Sequence, residues 1–151
     1  MIPVDEILVF KKSGAEAFDP TRRSRTALLL RRVIGEAIEL RATDIHFEPE
    51  AKGVRIRARV DGFLRDLTEL DMEQGNKAIS AIKVICDLDI TRKTRMQDGS
   101  FSATVREKPV EFRVSTVEEI HGDNNEPALQ ADARLDDTAL GAVRGMGATM
   151  N

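Results

Sequence analysis

The chain has 151 residues, of which 41% are hydrophobic and 32% are charged, a composition typical of one soluble globular domain. Its 23 basic and 26 acidic side chains nearly cancel, so the charge balance gives no general attraction for nucleic acid or an anionic membrane. The one cysteine excludes an internal disulfide and a four-cysteine metal site, and no apolar run approaches the roughly 18 residues of a membrane span.

Charge is distributed unevenly along the chain. Residues 115–151 carry two arginines against seven acidic side chains, whereas the first 114 residues have a small net positive charge. The final part is also poor in large apolar residues, so it has little surface to offset the entropy of ordering. We therefore divide the chain into a lead-in (1–20), a folded block (21–123) and a tail (124–151) that we expect to be loosely held. The acidic amino terminus lacks the basic region of a signal peptide, which favours a cytoplasmic location.

Two segments show the apolar periodicity of amphipathic helices. The first runs from about Arg25 to Leu40, and Ser24 is placed to cap its amino terminus. The second runs from about Met72 to Cys86, where Asp71 can accept the capping hydrogen bond. Cys86 lies on the apolar stripe of this helix, so we interpret it as a core residue rather than a nucleophile.

Alternation of apolar and polar residues predicts five strands. In the clearest one, Val54–Val60, apolar side chains on one face alternate with three arginines on the other. The others are predicted at 45–48, 63–67, 101–105 and 110–114. Turn residues are expected at Pro49, which would end a strand, at the hairpin signals Asp61-Gly62 and Glu107-Lys108-Pro109, and at Gln97-Asp98-Gly99.

The order of these elements predicts the fold class. Short connections and hairpins favour an antiparallel sheet with both helices packed on its apolar face, which is an α+β two-layer sandwich. The opposite face would then carry the polar side chains His46, Glu48, Arg55, Arg57, Arg59, Glu111 and Arg113.

The arginine-rich strand is the most distinctive chemical feature. Arg55, Arg57 and Arg59 alternate with apolar residues and so share one face, about 6–7 Å apart. Guanidinium groups bind phosphate oxygens through paired hydrogen bonds. The other interpretation, which periodicity alone favours, is that they form ion pairs with Glu48 and Glu111 and only keep the open face soluble.

The sequence has few other residues that could bind a metal ion or a nucleotide. Two histidines, His46 and His121, and one cysteine are too few for a metal site of three or four convergent ligands, so we expect no metal. No glycine is followed by lysine, which excludes the phosphate-binding loop Gly-x-x-x-x-Gly-Lys-Ser/Thr. We therefore predict no catalytic residue, no cofactor held by the chain alone and no ATP hydrolysis by it.

Several motifs in order resemble one known family. Ala42–Pro49 is similar to the A-S-D-I-H-F-E-P segment of the type II secretion and type IV pilus assembly ATPases, and Val54–Gly62 is similar to the V-R-x-R-x-R-x-D-G strand that follows it. The family's order and approximate spacing continue through Ile82-Lys83-Val84, Leu88-Asp89-Ile90, Gln97-Asp98-Gly99 and Arg113-Val114-Ser115-Thr116. Together these motifs cover about residues 25–123.

The resemblance carries implications for fold, site and partners. It implies a PAS-like sandwich, the domain that precedes a RecA-like motor domain and rocks against it in a hexamer. It implies Arg57, Arg59 and Arg113 as the residues that face nucleotide phosphates, with ATP and Mg²⁺ held by the motor domain. The implied partners are that motor domain or other subunits of a secretion or pilus ATPase, in an oligomer at the inner face of the membrane. From the charge balance and the lack of a long apolar run we expect no nucleic acid partner and no bilayer insertion.

The sequence departs from the family pattern at Met96, at Ser100 and after Val117, and the resemblance stops near Asp123, before the motor domain. The leading hypothesis is a non-catalytic accessory domain, truncated or stand-alone, of a type II secretion or type IV pilus assembly ATPase. The alternative is a stand-alone binding or adaptor module whose arginine-rich face takes a phosphorylated ligand or an acidic partner protein.

Overall fold

Two helices lie on one face of a seven-stranded antiparallel sheet in the computed structural model of the chain. The structure describes residues 2–18, 24–88, 96–121 and 126–135, with the backbone alone from 118 onwards. The helices are α1 (Arg25–Glu39) and α2 (Met72–Ile85), and the strands are β1 (Ile7–Phe10), β2 (Asp44–Glu50), β3 (Gly53–Val60), β4 (Phe63–Asp71), β5 (Met96–Val105), β6 (Lys108–His121) and β7 (Glu126–Leu135). Across the sheet the order is β1-β5-β6-β7-β2-β3-β4. The predicted α+β sandwich is confirmed.

Both helices begin at the predicted caps. The Ser24 hydroxyl accepts a hydrogen bond from the Ala27 amide at 3.3 Å, and the Asp71 carboxylate accepts one from the Gln74 amide at 2.7 Å. Each cap satisfies an amide that has no partner inside its helix, a contribution of about 1 kcal/mol. Asp71 is also the last residue of β4, so strand and helix join without a loop.

One continuous core lies between the helices and the sheet. The apolar positions of β3 are buried beneath the helices, while its three arginines are partly exposed on the other face. Phe101 of β5 and Phe112 of β6 stack in parallel with ring centroids 4.7 Å apart, joining two neighbouring strands from inside. The alternation predicted for β3 and β6 therefore places the core and the polar face correctly.

Several strand boundaries differ from the sequence prediction. Strand β2 continues through Pro49 to Glu50. On the edge away from β3, β7 pairs with β2 only from Asp44 to Phe47, so no described strand on that edge needs the amide that proline lacks. The lead-in contributes strand β1, which pairs with β5. The hairpin at Asp61-Gly62 is confirmed, with both residues at positive φ.

The segment Gln97-Asp98-Gly99 was predicted as a turn, and that prediction is wrong. These residues lie inside β5, opposite Val114 to Thr116 of β6. The glycine is explained by packing, since a Cβ atom on Gly99 would lie 2.8 Å from the Cβ atom of Cys86 at the end of α2. A strand that passes this close to a helix end needs a residue without a side chain.

Strand β7 falls in the segment that we expected to be loosely held. Its backbone pairs with β6 over ten residues and with β2 over four, so it fills the centre of the sheet. Ladder hydrogen bonds come from the backbone and do not require an apolar sequence, which is why composition did not reveal this strand. The rest of the tail, 136–151, and the basic loop at 91–95 lie outside the described residues.

Gly75 of α2 tests how tightly the helix is seated on the sheet. A Cβ atom at this position would overlap the side chain of Val54 on β3. In an open helix, alanine is about 1 kcal/mol better than glycine, but overpacking costs about 1–3 kcal/mol. We therefore expect Gly75→Ala to lower the free energy of unfolding in urea. The exposed neighbour Asn76→Ala is the control and should not destabilise; a stabilised Gly75→Ala variant would contradict this packing.

Cys86 gives the fold a defined weakness at alkaline pH. Its side chain is 1% exposed, and burial, with a smaller contribution from the Asp87 carboxylate, raises the pKa of the thiol from 9.0 to about 12. Since the unfolded chain ionises first, stability is complete below about pH 9 and falls by about 1.4 kcal/mol per pH unit from there to about pH 12. Unfolding of Cys86→Ala over the same range is the control, and the stability difference between the two proteins should change with pH. A constant difference would exclude this ionisation.

Candidate functional site

The open face of the sheet holds all three arginines of β3, and each has different partners. Arg55 lies between two carboxylates, with its Nε atom 3.1 Å from Glu50 and its Nη2 atom 3.4 Å from Glu69. One carboxylate lies on the β2 side and the other on the β4 side, so the charge of Arg55 is compensated from both neighbouring strands.

Arg57 is held by a single carboxylate. Its Nε and Nη2 atoms donate to both oxygens of Glu48 at 2.8–3.1 Å, a two-pronged geometry that fixes the guanidinium plane. The two side chains are only 28% and 26% exposed, so water screens this pair less than a fully exposed one. The ion-pair interpretation predicted from sequence therefore describes Arg57 and Glu48 well.

Contacts orient the guanidinium group of Arg59, but its positive charge is less fully compensated than that of Arg55 or Arg57. Its Nη1 atom donates to the Gly62 carbonyl oxygen at 3.0 Å, and its Nε atom lies 3.5 Å from the Asp44 carboxylate. Its side chain is 40% exposed, more than that of Arg57. The hairpin turn thus aims the guanidinium while leaving donors on its outer side for another acceptor.

A groove of about 710 Å³ crosses the open face and brings Arg59 together with Arg113 of β6. Its walls come from the two halves of the sheet on either side of β7, and its lining is Asp44, His46, Arg59, Asp98, Gly99, Ser100, Glu111, Arg113, Val114 and Ser115. The register explains the meeting of the two arginines. Arg113 stands opposite Arg134, Arg134 opposite Asp44, and Asp44 opposite Arg59, so these positions form one row across four strands.

Geometry permits two arginines of this row to share one ligand. Three strand spacings separate the backbones of Arg59 and Arg113, about 14 Å in all. Extended arginine side chains reach far enough to approach a small anion between them from opposite sides. Among the described residues Arg113 forms no ion pair, so its donors are available.

The groove also carries negative charge. Asp44, Asp98 and Glu111 line it beside the two arginines. Among the described side chains, the place that favours an anion lies between Arg59 and Arg113, and a ligand with charges of both signs would fit the groove as a whole. In the described part of the chain, no group of three or more histidine, cysteine or carboxylate side chains is arranged to hold a metal ion.

The structure thus divides the predicted site residues. Arg59 and Arg113 lie in one groove, whereas Arg57 is outside its lining and bound to Glu48. Sequence reasoning missed Asp98 and Ser100 because it placed residues 97–99 in a turn, and it missed Asp44 as the partner of Arg59. The alternation from Ser100 to Val105 was the available signal, since it continues back to Asp98.

No described helix has the length and apolarity needed to cross a bilayer.

Comparison with known proteins identifies relatives of this sheet and its motifs. A family model described as type II/IV secretion system protein matches residues 21–130. The chain is 41% identical over 95 residues to the type II secretion system protein E of Pseudomonas aeruginosa and 39% identical over 95 residues to the type II secretion system ATPase E of Vibrio cholerae, covering 63% of this chain and 19% of each relative. It is 33% identical over 95 residues to the type IV pilus assembly ATPase PilB of Acinetobacter baylyi, covering 62% of this chain and 16% of that protein.

A solved structure has the same fold. The X-ray structure of the ATPase DotB of Legionella pneumophila superposes with a TM-score of 0.57 over 78% of this chain and 31% of that one, at 22% sequence identity. The chain spans about a fifth of the length of the curated relatives that it matches. The likeness therefore concerns one region of each of these larger proteins.

The Arg57–Glu48 pair can be measured separately from the groove. We expect Arg57→Ala and Glu48→Gln each to destabilise the chain, with a coupling of about 1 kcal/mol in a double-mutant cycle, because the partly buried pair has two-pronged geometry. Arg113→Ala is the control and should stay within about 0.5 kcal/mol of the parent, since its side chain is exposed. Strictly additive effects of Arg57→Ala and Glu48→Gln in urea unfolding would show that the pair contributes nothing.

Proposed function

The chain belongs to the type II/IV secretion system protein family, and from that premise we propose that it acts as a non-catalytic domain that offers arginines to the phosphates of a nucleotide held by a motor domain. The relatives named above are secretion and pilus assembly ATPases, and the proposed partner is the motor domain of such an enzyme or another of its subunits. The location proposed with it is the inner face of the membrane, within a secretion or pilus complex.

The observation that supports this proposal best is the row that joins Arg59 and Arg113. Residues 54 positions apart in sequence reach one groove because β7 sets β6 and β2 at the right separation. One guanidinium is aimed by the Gly62 carbonyl, and the other is exposed. One oriented cation and one cation free of ion pairs, at the two sides of one open groove, suit an anion presented by another molecule.

The chemistry required of these residues is electrostatic. Charge accumulates on the phosphate oxygens during phosphoryl transfer, and an arginine from a neighbouring module stabilises it only when the modules close. ATP with Mg²⁺, held by the motor domain, would supply those phosphates. Within the proposal Arg59 and Arg113 face the phosphates, while Arg57 is retained by Glu48 as part of the scaffold.

A second candidate function rests on the acidic residues of the groove. Asp44, Asp98 and Glu111 would repel a phosphate that is not placed between the arginines, but they suit a protein surface carrying both lysines and carboxylates. This candidate is a binding or adaptor module that docks on a partner through the whole groove, or that takes a phosphorylated ligand without any motor domain.

Exchange of domains tests the first function. We would replace the matching region of the Vibrio cholerae type II secretion system ATPase E with this chain and measure ATP turnover. Arg59→Ala and Arg113→Ala should each lower turnover by about a thousandfold, as loss of a trans-acting arginine does. The exposed Arg65→Ala on β4, outside the groove, is the control and should leave turnover unchanged.

The chain by itself completes the test. It should release no phosphate from ATP, because it has no phosphate-binding loop. Unchanged turnover in both groove variants would overturn the arginine role. If the isolated chain then bound pyrophosphate in a calorimetric titration, and Arg113→Ala abolished that binding, the binding-module function would hold instead.

A further inference from the structure

A second groove lies on the helical side of the molecule, away from the arginine-rich face. It has a volume of about 190 Å³ and lies between the first turns of α1 and the junction of β4 with α2. Its lining, which defines the helix groove, is Arg25, Thr26, Leu28, Leu29, Arg32, Leu70 and Gln74. None of these residues belongs to the groove that holds Arg59 and Arg113.

Four residues of α1 form one stripe along the helix groove. Arg25, Leu28, Leu29 and Arg32 follow one another at intervals of three, one and three residues, so all four lie within about 100° of the helix surface. The two arginines are seven residues apart, which is about 10.5 Å along the helix axis, and the leucines lie between them. The stripe is therefore basic at both ends and apolar in the middle.

The α1 side of the helix groove is strongly basic. Residues 20–35 contain five arginines and no acidic residue, although the whole chain has a net charge of −3. Arg25 and Arg32 are exposed, and neither is in an ion pair with another described residue. The two acidic residues at the start of α2 already have partners, since Asp71 caps the helix and Glu73 forms an ion pair within it. The arginines are thus available to carboxylates from another molecule.

The apolar part of the helix groove has depth. Leu70 is the most buried residue of the lining, at 7% exposed, whereas Leu28 at the edge is 41% exposed. A flat bilayer surface does not reach the base of such a groove, but a single apolar side chain does. Since an apolar cavity of about 150 Å³ can hold a benzene ring, the helix groove has room for one leucine or phenylalanine side chain.

The spacing of the two arginines indicates the conformation of the occupant. In an α-helix, residues seven apart share one face and lie about 10.5 Å apart, which matches the separation of Arg25 and Arg32 along α1. In a strand, residues of one face lie about 7 Å or about 13 Å apart, so their side chains would meet one arginine but not both. A helix laid along α1 therefore fits better than an extended peptide.

We propose that the helix groove docks an amphipathic helix of a partner protein. This helix carries a large apolar side chain that fills the base of the groove and two carboxylates, seven residues apart, that face Arg25 and Arg32. Burial of the apolar side chain holds the helix, and the ion pairs at the rim set its orientation and specificity. A contact this small is weak and reversible, at the low end of interface sizes below about 1,200 Å².

Two synthetic peptides test the chemistry of the occupant. The first is an alanine-based helix that carries two adjacent leucines and a glutamate one turn away on either side, and the second has lysines in place of the glutamates. Fluorescence anisotropy of each labelled peptide, titrated with the intact chain, measures binding. We expect the glutamate peptide to bind at least about tenfold more tightly than the lysine peptide, because the exchange turns attraction at the rim into repulsion.

Reversal of the rim charge should reverse this preference. Arg25→Glu with Arg32→Glu should lose the glutamate peptide and bind the lysine peptide instead. Both positions are exposed and glutamate is as good a helix former as arginine, so thermal melting followed by circular dichroism should be unchanged. The matched control, Lys52→Glu with Arg65→Glu, makes the same change of charge at two exposed positions outside the lining and should keep the parent's preference.

The apolar contribution is measured separately. Leu28→Gln keeps the rim charges and a residue that is compatible with the helix, but it removes apolar surface at the edge of the groove. It should weaken binding of the glutamate peptide severalfold while leaving the preference over the lysine peptide in place.

Several outcomes would overturn the proposal. One is a parent chain that binds neither peptide at the highest protein concentration, or that binds both equally. Another is a rim-reversed variant that still prefers the glutamate peptide. If the parent chain bound phosphatidylglycerol vesicles and the rim-reversed variant did not, the two arginines would belong to a lipid contact instead.

Discussion

The structure depends on the insertion of one strand between two halves of a sheet. Strands β1, β5 and β6 form one antiparallel group and β2, β3 and β4 another, and β7 pairs with both. Without β7, the inner edges of β6 and β2 would leave a row of backbone amides and carbonyls without partners. With it, the two groups share one core beneath two helices. The groove on the opposite face exists because its walls stand on different groups, one strand apart.

Strand β7 pairs unequally with the two strand groups on either side of it. β7 pairs with β6 over ten residues but with β2 only from Asp44 to Phe47. Four residue pairs therefore set the separation of the groove walls, and Asp44 belongs to one of them. The Asp44 carboxylate also lies 3.5 Å from Arg59. Asp44 therefore takes part both in the pairing of β2 with β7 and in the orientation of a candidate phosphate-binding arginine. Beyond Phe47 no described strand pairs with this edge of β2, and the chain places Pro49 there.

Sequence reasoning succeeded where local chemistry determines structure. The caps at Ser24 and Asp71, the alternation of β3 and the turn at Asp61-Gly62 follow from near neighbours in the chain, and the structure confirms each of them. Sequence reasoning failed where residues that are far apart in the chain determine the structure. Gly99 signals a turn locally, yet it serves the close approach of β5 to Cys86. Strand β7 has a composition unlike a central strand, and its place depends on two neighbours far away in sequence. The groove could not be predicted because it needs β7.

The three arginines of β3 look equivalent in the sequence, and their neighbours make them different. At one end of the strand Arg55 lies between Glu50 and Glu69, so any incoming anion would compete with two carboxylates. The next arginine, Arg57, donates hydrogen bonds from both Nε and Nη2 to the Glu48 carboxylate. Arg59, at the hairpin end, is aimed mainly by a neutral carbonyl. Compensation of positive charge thus decreases towards the hairpin, and that is the end where the register brings Arg113 into the same row. The place for an anion follows from which acidic residues face each arginine, information that the spacing of arginines alone does not contain.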